Sequence, residues 1–131
     1  MPAYDVSRFD PPAPVARVSL RNPESREAIS DIPMLIDTGA DMTFIPQAAA
    51  ATLNLQQLSG EGYKLKAFDG SSSMARAVRA DMLFLGRTLR GRYLVRDSEV
   101  GILGRDVLNH FVIAIDGPGL KWQQYTNKEN Q

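Results

Sequence analysis

Cysteine is absent from the 131-residue chain, which removes both a disulfide framework and a thiolate nucleophile. Histidine is nearly absent. The only one, His110, has no second imidazole with which to share a metal and reads as a helix-end residue, so no metal or other cofactor is expected. Neither sign of charge prevails, because 15 basic residues are matched by 15 acidic ones. A neutral balance gives no electrostatic reason to expect nucleic acid or an anionic membrane as partner. Arg87, Arg90, Arg92 and Arg96 lack interleaved aromatics and read as a solvated face. No apolar run approaches bilayer-spanning length, and residues 1–10 hold no apolar core of secretory-signal length. A cytoplasmic protein is the default expectation.

What remains suffices for one domain with a modest core. Residues 1–14 carry Pro2, Pro11, Pro12 and Pro14. Proline cannot donate to a ladder, so this stretch reads as an extended or disordered arm. The domain is expected over residues 15–119, followed by a tail over 120–131 with one amphipathic patch, Leu120, Trp122 and Tyr125. Val15–Leu20 alternates as a half-buried strand does, Asn22–Ser25 turns, and the chain returns through Ile32–Ile36 as a hairpin. Gln47–Leu55, alanine-rich behind Pro46, predicts a short helix. Tyr63–Phe68 and Met74–Ala80 alternate around a polar tip, which predicts a second hairpin. Asp81–Leu85 and Leu89–Val95 read as further strands, Asp106–Phe111 as a short helix, and Val112–Asp116 as a last buried strand. Many short strands with regular turns point to an all-β, closed or barrel-like fold.

Two stretches carry the chemistry. In the first, Met34-Leu35-Ile36 runs as a buried strand into Asp37-Thr38-Gly39-Ala40-Asp41, a tight acidic loop in which Gly39 is free to take backbone angles that a side chain forbids. A carboxylate delivered by a buried strand onto a turn is held rigidly, as a catalytic group must be. In the second, Val100-Gly101-Ile102-Leu103 leads to Gly104-Arg105 and a short helix. Together and in this order, the two stretches closely resemble the retropepsin-like aspartic proteases, the retroviral proteases and their cellular relatives. The matching motifs are Leu35-Ile36-Asp37-Thr38-Gly39-Ala40 and Ile102-Leu103-Gly104-Arg105, and the resemblance runs from Val15 to Gly117.

Peptide hydrolysis by water needs an ionised carboxylate to take the water's proton and a protonated one to polarise the carbonyl. Two neighbouring carboxyls meet both needs, since like charges nearby cannot both ionise and the pair titrates as a unit. The chain has a single Asp-Thr-Gly. Chemistry therefore calls for a second copy, with Asp37 facing its mate across a twofold axis in an isologous homodimer. The resemblance implies the same dimer, a retropepsin-type acid protease fold with a flap hairpin, and a polypeptide substrate.

Carried over residue by residue, the resemblance implies that Asp37 is the catalytic carboxylate and that Thr38 locks the two loops together across the dimer axis. It implies that the Gly39 carbonyl meets the substrate backbone. Asp41 matches a carboxylate that binds substrate main chain and pairs with an arginine, here Arg105, with Gly104 as structural support; the fork geometry of Arg suits such a pair. Leu35, Ala40, Phe44, Val100 and Ile102 match positions that line side-chain pockets. Phe68, Asp69, Gly70 and Ser71 lie in the expected flap, Phe68–Ser73, whose tip is more polar than retroviral ones. Two other readings keep the same fold: a catalytically silent dimeric peptide-binding or scaffold module, and a latent protease activated by trimming of the Met1–Pro14 arm.

Overall fold

The computed structural model describes residues 2–58, 63–66 and 72–125. Its strands are β1 (Tyr4–Asp5), β2 (Ala13–Arg21), β3 (Ala28–Ile36), β4 (Phe44–Pro46), β5 (Tyr63–Lys66), β6 (Ser72–Ala75), β7 (Ala77–Phe84), β8 (Arg87–Arg96), β9 (Gly101–Leu103), β10 (Ile113–Asp116) and β11 (Lys121–Gln124). Two short helices interrupt them, α1 (Gln47–Thr52) and α2 (Arg105–Leu108). Six strands pair in the order β2-β3-β9-β4-β8-β7, and β7 pairs back onto β2 through Ser19–Leu83, Leu20–Met82 and Arg21–Asp81. The sheet thus closes into a barrel, which leaves no long open edge. Alternate side chains fill its interior, with Leu20, Met34, Ile45, Met82 and Leu103 fully buried.

Several boundaries differ from the sequence reading, each for a local reason. Met74–Ala80 and Asp81–Leu85 are not two strands. The break falls at Arg76, and β7 runs unbroken through Asp81. Aspartate is depleted from strands, but this one is clamped. Its Oδ1 accepts from Arg90 Nε at 2.7 Å and its Oδ2 from Arg21 Nη2 at 2.9 Å. Two charge-assisted partners satisfy a fully buried carboxylate that would otherwise end the strand. The predicted α1 shortens to Gln47–Thr52, and α2 is a single turn that begins at Arg105.

The described residues nearest the two ends of the chain pack against the barrel. Tyr4 and Asp5 pair with Pro14 and Ala13, and Pro2 and Ala3 reach β11 through Trp122 N–H to Pro2 carbonyl at 3.0 Å and an Ala3–Lys121 bridge. Trp122, in the stretch read as tail, is buried, donates its indole N–H to the Val15 carbonyl at 3.2 Å and packs near Phe84. The hairpin β10–β11 therefore belongs to the core on one side. It is not a buried strand throughout, however. Val112 and Ile115 are 60% and 51% exposed, while Ile113 and Trp122 pack against the barrel core.

Candidate active site

Asp37 is the first residue beyond β3, and neighbouring backbone fixes its place. Its N–H donates to the Leu103 carbonyl of β9 at 3.1 Å, and its carbonyl accepts from Ala40 N–H at 3.2 Å. Parallel pairing of Met34, Leu35 and Ile36 with Gly101, Ile102 and Leu103 brings the two sequence motifs side by side. Asp37 Oδ1 accepts the Gly39 N–H at 3.0 Å, an Asx-type closure of the loop. Oδ2 accepts no hydrogen bond among the described residues. The side chain is half-buried, with Thr38 and Gly39 exposed beside it. A carboxylate in this setting is oriented by one oxygen and open at the other.

Gly39 is needed for a reason other than the one expected. It does not occupy the left-handed region. A Cβ there would sit 3.2 Å from Asp37 Oδ1 and crowd the oxygen that holds the loop. Gly104 shows the same logic more strongly, since a Cβ would lie 2.6 Å from the Met42 carbonyl group and 3.0 Å from the Ala40 oxygen. The Gly-Arg turn is pressed directly under the acidic loop and admits no side chain.

Arg105 follows from that contact. Its N–H donates to the Ala40 carbonyl at 2.8 Å, and its Nη1 donates to the Thr38 carbonyl at 2.8 Å. One residue thus ties both ends of the Thr38–Ala40 segment. The expected Asp41–Arg105 ion pair is not among the salt bridges of the described residues, and Asp41 is exposed. The guanidinium goes to the loop backbone instead.

Sequence reasoning missed the deepest part of the lock. Thr43 is fully buried, donates its hydroxyl to Asp106 Oδ1 at 2.6 Å and accepts the Gly104 N–H at 3.0 Å. Asp106 Oδ2 accepts the Thr43 N–H at 3.1 Å, while Oδ1 also takes the Val107 N–H at 2.9 Å. The only advance signal was an acidic residue in the first turn of α2, a position that favours negative charge.

Of the expected pocket residues, Leu35, Val100 and Ile102 line one cleft of about 340 Å3. Phe44 pairs with Ile102 on the neighbouring strand and packs with Met42 against Ala77 and Leu94. Ala40 is part of the acidic loop. Phe68, Asp69, Gly70 and Ser71 lie outside the described residues. The stems of that hairpin pair in antiparallel register, Tyr63 with Ala75 through Lys66 with Ser72. No group of three or more His, Asp or Glu side chains is arranged to hold a metal among the described residues. No helix among them is long and apolar enough to cross a membrane.

No curated protein sequence matches the chain. Among solved structures, it is similar to EIAV protease complexed with the inhibitor HBY-793, with 25% identity and a TM-score of 0.57, over 82% of this chain and 91% of that one. The family model described as gag-polyprotein aspartyl protease matches residues 29–110, a span that holds both the acidic loop and the Gly104-Arg105 turn. With well over half of its length so matched, the chain belongs to this retropepsin-like family of aspartyl proteases.

Proposed function

We propose that the protein is an aspartic endopeptidase whose active site forms when two copies bring their Asp37 loops together. The observation that carries the reading is the state of Asp37: held by backbone at its N–H, its carbonyl and Oδ1, with Oδ2 accepting no hydrogen bond among the described residues. Such an arrangement suits a carboxyl that must meet a second carboxyl and a water without moving.

In the dimer, the ionised carboxylate takes a proton from water as its oxygen attacks the scissile carbonyl carbon. The protonated carboxyl gives its proton to the carbonyl oxygen, which yields a neutral gem-diol. Collapse returns a proton from that diol to the second carboxylate, the first delivers its proton to the amide nitrogen, and the C–N bond breaks. Each proton is accounted for, and the pair ends as it began, with one proton shared.

The chain ends support the dimer. Among the described residues, the exposed large apolar side chains are Val6, Val112, Ile115, Leu120 and Tyr125. All five lie in the first strand region or the β10–β11 hairpin, which touch each other through Tyr4 N–H to Leu120 carbonyl at 2.8 Å. An apolar concentration of this kind marks an interaction surface. In this reading Asp37, Thr38 and Gly39 form the catalytic loop. Leu35, Ala40, Phe44, Val100 and Ile102 contact substrate with Asp41, the Phe68–Ser71 tip closes over it, and Gly104 and Arg105 hold the loop.

The test is incubation of purified protein with a mixed peptide library, read by mass spectrometry. Reproducible cuts that vanish in Asp37→Asn support the peptidase. Saturable peptide binding without cuts would instead identify a silent peptide-binding module.

A further inference from the structure

The cleft beside Asp37 carries a charge that the peptidase reading does not use. Along β3 and β9, Met34, Gly101 and Leu103 turn into the barrel, so Leu35, Val100 and Ile102 stand on the outward face shared with Asp37. The cleft they line is completed by Phe9 and Arg8 from the N-terminal arm and by Arg96 from the end of β8. Apart from Ser98 its uncharged walls are apolar, and both of its charged residues are cations.

The two cations differ. Arg8 is engaged, with Nη1 2.7 Å from Asp5 Oδ2 and Nη2 2.9 Å from Glu99 Oε1. Asp5 also takes the Arg8 and Ser7 N–H groups at 2.8 and 2.9 Å, which fixes the arm's turn. Arg8 thereby neutralises Glu99 at the rim and fastens the arm as one wall. Arg96 is half-buried and has no salt-bridge partner among the described residues. A guanidinium partly withdrawn from water beside apolar walls favours a carboxylate that can meet its fork.

We propose that this cleft is a substrate side-chain subsite selective for glutamate, with Leu35, Val100 and Ile102 packing the hydrocarbon stem and Arg96 reading the carboxylate. The proposal rests on the peptidase reading for its substrate class, but its chemistry is that of binding and can be measured without turnover. Glutamate fits because it joins an apolar stem to a planar anion, and glutamine has the same shape without the charge.

The experiment uses full-length Asp37→Asn protein and hexapeptide sublibraries in which Glu or Gln is fixed at one position among varied apolar residues. Retained peptides are quantified by mass spectrometry. The expected result is an enrichment of Glu over Gln of about tenfold at one position, as a single charge-assisted contact gives. That ratio falls to about one in Asp37→Asn/Arg96→Gln, and the charge-reversed Asp37→Asn/Arg96→Glu comes to prefer Lys. Equal retention of Glu and Gln at every position overturns the proposal, as does a Glu preference that survives Arg96→Gln. Absence of cuts by the unmutated protein, with discrimination by the Asp37→Asn protein intact, removes the peptidase reading and leaves the subsite. Cuts without any Glu preference do the reverse.

Discussion

Asp37 and Asp81 show how surroundings divide the labour of two identical side chains. Asp81 is fully buried, and hydrogen bonds from Arg90 foremost and then Arg21 hold its carboxyl below the ordinary range, against the opposing effect of burial. Asp37 has no cation within salt-bridge reach among the described residues and keeps one oxygen open. The first is a structural anion and the second is placed for chemistry. Replacement of Asp81 by Asn should cost about 1.5–3 kcal/mol in urea unfolding at pH 7, the worth of hydrogen bonds to a charged group. Both arginines reach solvent, so the cost falls short of stranding a buried charge. The sign with pH follows. A carboxyl whose folded pKa is depressed contributes stability above its unfolded value of about 3.9 and loses it as pH falls further. Asp81→Asn should therefore lose less stability than the parent between pH 5 and pH 2, to be read from denaturation midpoints at each pH. Thr43→Val keeps the shape of a buried side chain but abandons Asp106 and the Gly104 N–H. It should destabilise by about 1–3 kcal/mol and lower kcat/KM beyond what the unfolded fraction explains, because the Gly104-Arg105 turn that braces Asp37 loosens with it.

At the scale of elements, the β10–β11 hairpin packs on the barrel through Trp122, with Ile113 beside it. Trp122 is the sole tryptophan, so its fluorescence reports its own environment. Trp122→Ala should cost about 3–5 kcal/mol, and Trp122→Phe less, since an aromatic ring stays in the core while the indole bond to Val15 and part of the packed volume are lost. A urea titration of each variant, followed by far-ultraviolet circular dichroism, checks both. The hairpin also marks what was legible in the sequence. Leu35-Ile36-Asp37 and Ile102-Leu103-Gly104 were readable because apolar runs that end in a turn have few alternatives, and many short strands with regular turns disclosed the barrel class. Asp81 was not readable as mid-strand, because its partners lie 9 and 60 residues away. Trp122 was read as tail because a short amphipathic patch after Gly117-Pro118-Gly119 carries no sign of the core it meets. The Thr43–Asp106 bond spans 63 residues, and only the close approach at Gly104 brings its ends together. Local signals foretold elements, whereas contacts between distant residues decided which polar side chains were structural.

On the scale of the whole molecule, the exposed large apolar side chains among the described residues collect where β1 meets the β10–β11 hairpin, remote in sequence from the acidic loop. If that surface joins two copies, Val112→Glu/Ile115→Glu should yield a folded monomer by sedimentation velocity. Peptide cleavage should fall by at least the 10²–10⁴-fold that positioned acid–base catalysis contributes. With no net charge to hold two copies apart, the monomer–dimer equilibrium should shift little as sodium chloride is raised to physiological strength. Subunit mixing tests the central claim most directly. Parent protein is equilibrated with increasing Asp37→Asn protein at fixed total concentration, and the rate of peptide cleavage is followed. A site built from two Asp37 carboxyls predicts a rate that falls as the square of the parent fraction, because mixed dimers hold one carboxylate and are inactive. A rate directly proportional to the parent fraction, with exchange of subunits verified, would contradict it.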